Sequence, residues 1–448
     1  MNDGDRPISV DVAIVGAGVA GLAALRALSD AGFSVCVLEA RDRIGGRMYT
    51  LHDDRLPHGI ELGAEFIHGS APELVEIVNE AGLTPFIIEG DRWRPRGKKL
   101  IKAMDYWGEM HKVMRYLPES GPDESFADFL AREPGGRSAG EARALSKQFV
   151  EGFHAAEPKK LSTKALADGG APSEDPSEQR IMRIPAGYDG VLRWFARGFD
   201  SKILAQTVVD SIEWEPHRVS ISARAGAERT LVVNARAAIV AAPLAAIFCP
   251  PGETGAIAFK PVPHILEKMH GKLTVGSVQR TVFLFRERWW AEKLASLPKD
   301  GSLENLSFLY GDSADYPVWW TLYPAHLPAM VGWAGGPAAL RLAGKSYEEK
   351  RDRAIAALAK NFRVSKRRVE SQVVQMWTHD WDMDPFARGA YSYAMVGGAN
   401  AAAQLARGVD STLWFAGEAA DAKGRNGTVN GAIGSGRAAA KAVKRALV

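Results

Sequence analysis

The stretch VGAGVAG at 15–21 sets Gly16, Gly18 and Gly21 in a G-x-G-x-x-G spacing. The chemistry open to such a loop is the grip of a dinucleotide. The first glycine permits a tight turn, the second lets backbone approach a pyrophosphate, and the third lets a helix pack closely on a strand. The helix N-terminus that follows favours phosphate charge. Glu39 lies 23 residues after Gly16 and 18 after Gly21. A carboxylate there can accept from ribose hydroxyls and would repel a 2′-phosphate. Gly45 and Gly46 can bring a second backbone segment close to the ligand. Arg47 can reach phosphate or polarise a cofactor ring, and a surface ion pair is its other reading. The glycine loop alone is a weak signal and leaves NAD and FAD both open, although EARDRIGGRMYT at 39–50 is not a nicotinamide signature.

The elements that must position these groups are legible around them. ISVDVAIV (8–15) alternates and then runs apolar, as a buried strand does. Leu22, Leu25 and Leu28 then follow at helical spacing, ended by Gly32. SVCVLE (34–39) is a second buried strand, which completes one βαβ unit. Ser70 and Glu73 have the spacing of a capping box before Leu74, Val75, Ile77 and Val78, and Gly82 supplies a stop. Helical pattern recurs at 141–151, and 184–199 reads as a turn into a helix. The stretch 231–243 is a buried strand ended by Pro243, and 275–285 is strand-like. YSYAMVG (391–397) reads as a turn, STLWFAGE (411–418) as a strand entering a Gly-Glu turn, and 431–447 as a small-residue helix starting at Gly431. The stretch 118–180, rich in Pro, Gly, Ser and charge, offers little chemistry; within it 157–178 reads as a surface loop, a lid or disorder.

A chain of 448 residues suits two or three domains, and 46% hydrophobic content supplies large cores. The net charge of +3, without a long basic run, argues against nucleic acid as the main partner. No run of about 18 apolar residues occurs, so no membrane span is expected. The polar start MNDGDRPISV does not read as a signal peptide. Two cysteines, Cys36 and Cys249, make a disulfide framework improbable and fit a cytoplasmic setting. Twelve tryptophans are many, and core packing or an aromatic-lined pocket accounts for them.

The run GAGVAGLAAL…VLEARDRIGGRMYT resembles the opening of the flavin-dependent amine oxidases, and further motifs follow in the family order. HGIELGAEFIHGS (58–70), GYDGVLRWFA (187–196), VVDSIEW (208–214), WDMDPFARGAYSY (381–393) and LWFAGEAADAKGRNGTVNGAIGSGRAA (413–439) spread the resemblance over nearly the whole chain. It implies an α/β fold: a discontinuous, Rossmann-like FAD-binding domain from 1–76, 181–262 and 391–448, and a second, α+β substrate-binding domain from 77–180 and 263–390.

The resemblance also implies roles. Gly16, Gly18, Gly21, Glu39, Ala40, Arg41, Gly45, Gly46 and Arg47 would bind FAD, with Gly63, Ala64 and Glu65 in the next motif and Val209 contacting adenine through its main chain. Trp381 matches a flavin-side tryptophan and Tyr391 a pocket aromatic. Glu418, after Gly417, is placed to accept from a ribityl hydroxyl. Thr428 and Val429, before a helix start, would favour negative charge on the reduced ring. Covalent members carry a cysteine just before the pocket tyrosine; Ala390 stands here, so the FAD is expected to be non-covalent. The second aromatic of monoamine oxidases falls at Thr428, so a two-tyrosine cage is absent. His68 either touches substrate or is structural. The family lysine that holds a water at flavin N5 aligns with Arg280.

The implied reaction is hydride removal from the carbon beside a small amine or amino acid, with hydrolysis of the imine and peroxide on reoxidation. Arginine cannot share a proton as lysine can, so a dehydrogenase with another acceptor stands as the alternative. A C–C desaturase of the same fold and a non-catalytic flavoprotein are further rivals. Glu61 and Glu65, near in sequence, could serve a polyamine or turn away. Nucleic acid, membrane and metal are not expected, and a homodimer is left open.

Overall fold

The computed structural model describes residues 6–103, 106–118, 120–170, 175, 177–226 and 229–448. Two large sheets carry the fold. Strand Ile8–Val15 pairs in parallel with Val35–Leu38 on one side and Arg229–Val240 on the other. Val12 and Ile14 enter one core while Ala13 and Val15 enter another. A strand buried on both faces must be apolar throughout, which is why its end loses the alternation of its start. The eight-stranded sheet has the order Ile203–Leu204, Val35–Leu38, Ile8–Val15, Arg229–Val240, Arg218–Ala225, Thr207–Glu215, Ala258–Lys260. The last residues of Arg229–Val240 also pair in parallel with Leu413–Phe415. Segments from the beginning, middle and end of the chain thus meet in one sheet.

Helices Val19–Ser29, Asp189–Ala196 and Val429–Leu447 share a core on the Val12/Ile14 face. The C-terminal helix approaches closely because its small residues allow it: a Cβ on Gly436 would lie 2.1 Å from the Ala20 carbonyl oxygen.

The second sheet has seven strands in the order Val373–Asp380, Val278–Phe285, Ala329–Gly335, Val318–Thr321, Leu306–Tyr310, Asp91–Arg96, Lys99–Lys102. One face packs Phe283, Trp289, Trp290 and Trp319 against helix Tyr347–Phe362. The other turns Phe308, Trp320 and Val331 toward Leu56, Ile60 and Leu62 of the first half of the chain.

Several local expectations are corrected. Helix Pro72–Glu80 has Ala71, not Ser70, at its N-cap, and no side chain caps it. Pro72 occupies the first turn, and Glu73 pairs instead with Arg425 at 2.5 Å. A reciprocal capping box does form at Ser346 and Glu349. The segment 391–397 is not only a turn: Ser392–Ala394 pairs antiparallel with Leu273–Val275. The C-terminal helix starts at Val429, two residues before Gly431, because the Thr428 hydroxyl caps it. Of 157–178, residues 163–170 are helical turns, and 171–174 and 176 lie outside the described residues. Among the described residues no helix is long and apolar enough to cross a membrane, and no His/Cys/Asp/Glu group is arranged for a metal ion.

Candidate active site

A cavity of about 750 Å3 lies between the two sheets and is lined by five of the six sequence segments that carry motifs; the sixth, 187–196, packs in the core behind it. At one end is the glycine loop. Gly16 turns at φ +100°, with the Ala241 carbonyl oxygen 3.0 Å from where a Cβ would sit, so a side chain is excluded by both conformation and space. Gly18 is the N-cap of helix Val19–Ser29 and offers no side-chain cap, and the first turn holds no acid. A Cβ on Gly18 would meet nothing within 4 Å. Free first-turn amides facing open space beside glycine backbone suit a diphosphate. Gly45 closes on the loop, its N–H donating to the Ala17 carbonyl at 2.8 Å. Gly21 alone of the predicted cofactor residues does not line the cavity. Its place is packing: a Cβ there would lie 2.0 Å from the Gly16 carbonyl oxygen.

Glu39 accepts from the Ala17 and Arg41 backbone N–H groups at 2.7 and 2.9 Å. Burial raises its carboxyl above the ordinary range against those two donors. Arg41 reaches Asp384 at 2.7 Å and so ties this end of the cavity to the segment bearing Trp381. Ala40 and Val209 complete the wall.

Midway, Arg47 donates to Glu418 at 2.8 Å and to the Ala390 carbonyl. Glu418 also accepts from the Ser392 hydroxyl at 2.7 Å and the Gly427 N–H at 2.9 Å. It joins three segments far apart in sequence. Arg47 is therefore in an internal ion pair, not a surface one; its side chain is 25% exposed. The Thr428 hydroxyl donates to the Arg425 carbonyl and accepts from the Gly431 N–H, so its chemistry is spent on the helix cap. Val429 opens that helix at the cavity wall.

Beyond lies an aromatic chamber. Trp381 is fixed by its indole N–H on the Leu62 carbonyl at 2.8 Å and packs beside Gly63. Ala64 lines the wall next to it. Tyr391 donates to the Phe153 carbonyl at 2.5 Å, and its ring lies over Gly427. His68 stands edge-on to Phe66 and Phe153 at 5.8 and 5.2 Å. Burial pushes its pKa down to about 4, so the ring facing the cavity is neutral.

Arg280 meets the cavity, but its charge is paired. The guanidinium donates to the Gly63 carbonyl at 3.1 Å and to the Glu65 carboxylate. Glu65 also pairs with Arg183 at 2.5 Å and accepts from the Trp320 indole at 3.0 Å. Burial alone would raise the Glu65 carboxyl; Arg183 and Arg280 outweigh it and hold it below its usual range. The Glu65 carboxylate, although at the cavity wall, is thus engaged within the protein. Glu61 is engaged too, accepting from the Tyr188 N–H at 2.7 Å and the Thr50 hydroxyl at 2.8 Å.

Burial drives the Glu61 carboxyl up to about 8 from an ordinary 4.5. The native state then binds that proton more tightly than the unfolded chain. Its contribution to stability is full below about pH 4.5 and is lost as pH rises toward 8. Glu61→Gln removes the titration. Its melting temperature is expected to overtake that of the wild type between about pH 6 and 9, with a gain that grows with pH. Parallel melting profiles across that range would refute the assignment.

Residues that sequence reasoning passed over are Arg183, Phe149, Phe153, Trp320 and Trp333. The segment 118–180 was expected to be chemically poor, yet Phe149 and Phe153 form a chamber wall, stacked at 5.0 Å. Their i, i+4 spacing, with Phe153 as the C-cap of helix Gly140–Gly152, was the available signal. Of the twelve tryptophans, Trp107, Trp320, Trp333 and Trp381 line the cavity, while Trp93, Trp289, Trp290 and Trp319 pack a core.

The family described as flavin containing amine oxidoreductase matches residues 19–444. Polyamine oxidase 2 of Arabidopsis thaliana is 27% identical over 473 residues, covering 97% of this chain and 88% of that protein. Lysine-specific histone demethylase 2 of Homo sapiens is 25% identical over 439 residues, covering 91% of this chain and 50% of its own. Putrescine oxidase bound to putrescine superposes with a TM-score of 0.80 at 22% identity, over 98% of this chain and 100% of that one. Cyclohexylamine oxidase from Brevibacterium oxydans superposes with a TM-score of 0.77 at 23% identity, over 98% and 99%. At such identities the structural likeness establishes the fold.

Proposed function

Because the chain belongs to the flavin-containing amine oxidoreductase family, we propose that it holds FAD without a covalent link and oxidises the C–N bond of a small-molecule amine. The observation that carries this reading is the single cavity that joins a diphosphate cradle to an aromatic chamber. The eight-stranded sheet and its helices, from 1–76, 181–262 and 391–448, are the FAD-binding domain in this reading, and 77–180 with 263–390 the substrate-binding domain. Neither Cys36 nor Cys249 lines the cavity, and position 390 is alanine, which supports a non-covalent cofactor.

Gly16, Gly18 and the amides that follow would hold the diphosphate, and Glu39 the ribose. The N-terminus of the helix that begins at Val429 would favour negative charge on the isoalloxazine ring. FAD, when bound, supplies the two-electron acceptor for the carbon beside the amine. The chain's own residues do the rest. Tyr391, Trp381 and Phe153 exclude water, which favours the neutral, reactive form of an amine over its ammonium. Overall, an amine, water and oxygen give a carbonyl compound, ammonia or a smaller amine, and hydrogen peroxide. A second reading, a dehydrogenase that passes electrons to an acceptor other than oxygen, is favoured by the pairing of Arg280 with Glu65.

The test is an anaerobic screen of amines, polyamines and amino acids against the yellow protein. At least one amine class is expected to bleach it. Bleaching only by substrates that lack a C–N bond to break would overturn the proposal.

The cradle makes a separate prediction. Gly21→Ala forces helix and loop apart at a cost of about 1–3 kcal/mol. Flavin binding is then expected to weaken by roughly five- to a hundredfold, read as flavin released on dialysis. Flavin retained as in the wild type would rule this out.

A further inference from the structure

Two residues at opposite ends of the cavity are tied to one carboxylate that does not line it. Arg41 is in the wall beside Glu39, and Trp381 is in the wall beside Gly63. The carboxylate is that of Asp384, whose side chain is 8% exposed. One of its oxygens accepts from the Arg41 guanidinium at 2.7 Å and from the Phe386 N–H at 2.9 Å. The other meets the His379 Nε2 at 2.9 Å. Burial alone would raise the Asp384 carboxyl; His379 and Arg41 outweigh it and hold it well below its usual range. An ionised carboxylate only accepts, so the imidazole donates. The His379 ring in turn stands edge-on to Trp381 at 4.2 Å and to Tyr49 at 5.8 Å.

The backbone closes the same turn. The Asp384 N–H donates to the Asp380 carbonyl at 3.0 Å, and the Asp384 carbonyl accepts from the Ala387 and Arg388 N–H groups at 3.0 and 2.8 Å. The Gly389 N–H donates to the Trp381 carbonyl at 2.9 Å. A shift at Asp384 therefore moves the frame that carries Trp381. Glu39, 4.0 Å from Arg41, and Arg43, stacked over the Tyr49 ring, are charges beside it. Loss of the Asp384 charge leaves the Arg41 and Arg43 guanidiniums less neutralised. On charge alone, that draws an anionic diphosphate more strongly. A role in positioning predicts the opposite sign.

We infer that Asp384 is a positioning residue that couples the two ends of the cofactor site: it holds the Arg41 guanidinium for the nucleotide end and, through His379, the Trp381 indole for the flavin end. The inference rests on the reading of this cavity as an FAD site.

The test uses the FAD-loaded protein. Affinity is read as flavin released on dialysis. The flavin end is read by visible circular dichroism of the bound ring at saturating FAD. Asp384→Ala cuts both links; it is expected to weaken FAD binding roughly tenfold and to change the visible band. Asp384→Asn keeps the shape without the charge, and its amide can donate to a neutral imidazole. It should stay within about threefold of the wild type, with the band unchanged. Arg41→Met alters the nucleotide end alone, yet should change the band at the flavin end. A folded Asp384→Ala protein that holds FAD as tightly as the wild type, or more tightly, overturns the inference. An Asp384→Asn protein as weak as Asp384→Ala overturns it too, since the two contacts would then not be what matters. A visible band that Arg41→Met leaves unchanged makes the ends independent and overturns the coupling, even where Asp384→Ala does not fold. A wild type that takes up no FAD overturns the cofactor reading itself.

Discussion

Glu65→Gln is expected to destabilise the protein by about 3–5 kcal/mol, the usual cost of stripping a buried charge of its partner. Here the loss is doubled in kind, because Arg183 and Arg280 both depend on that carboxylate. The remaining hydrogen bonds of Arg183, to the Thr321 and Tyr323 carbonyls at 3.2 Å, orient it without neutralising it. The Gly63 carbonyl does the same for Arg280. Neither guanidinium can escape by losing its proton. Arg183→Met is the comparison, since it leaves one cation facing one anion and should cost clearly less than Glu65→Gln. Denaturant melts of both variants decide it. Equal losses would mean that packing volume, not charge balance, governs this site.

Arg280→Lys is expected to quicken reoxidation of the reduced flavin by air roughly tenfold, the equivalent of about 1.4 kcal/mol in barrier. The arginine fork spans the Gly63 carbonyl and Glu65 at once, so its charge is spent within the protein. A lysine is shorter, has one nitrogen, and can gain or lose a proton when buried. It leaves room for a water and offers it a mobile donor. Stopped-flow mixing of the anaerobically reduced proteins with aerated buffer measures the change. An unaltered rate would show that this position does not govern the choice of acceptor, and the dehydrogenase reading would lose its main support.

The two variants differ in how far their basis was visible in the sequence. Arg280 stood out because the family resemblance sets it where a lysine is expected. Arg183 did not, because nothing in IMRIPAGYDG marks an arginine that meets position 65 across the small sheet of Phe66–His68 and Ile181–Arg183. Ser70 and Glu73 show the opposite failure. Their spacing fits a capping box, yet Pro72 fixes the first turn and Arg425, 352 residues away, takes the glutamate. The strand Ser392–Ala394 was hidden likewise, since its partner Leu273–Val275 lies more than a hundred residues back.

By itself the sequence determined the βαβ unit, the glycine loop and the run of family motifs. These depend on the conformation of a few adjacent residues: a positive φ at Gly16, a missing Cβ at Gly21, a carboxylate at the end of the next strand. Only the tertiary structure decided where charge is free and where it is spent. Glu65, Arg183 and Arg280 come from three segments that the sheets bring together, and burial then obliges them to pair. Which side chain satisfies a buried charge depends on distances in space that sequence spacing does not encode, so the character of the aromatic chamber emerged only with the fold.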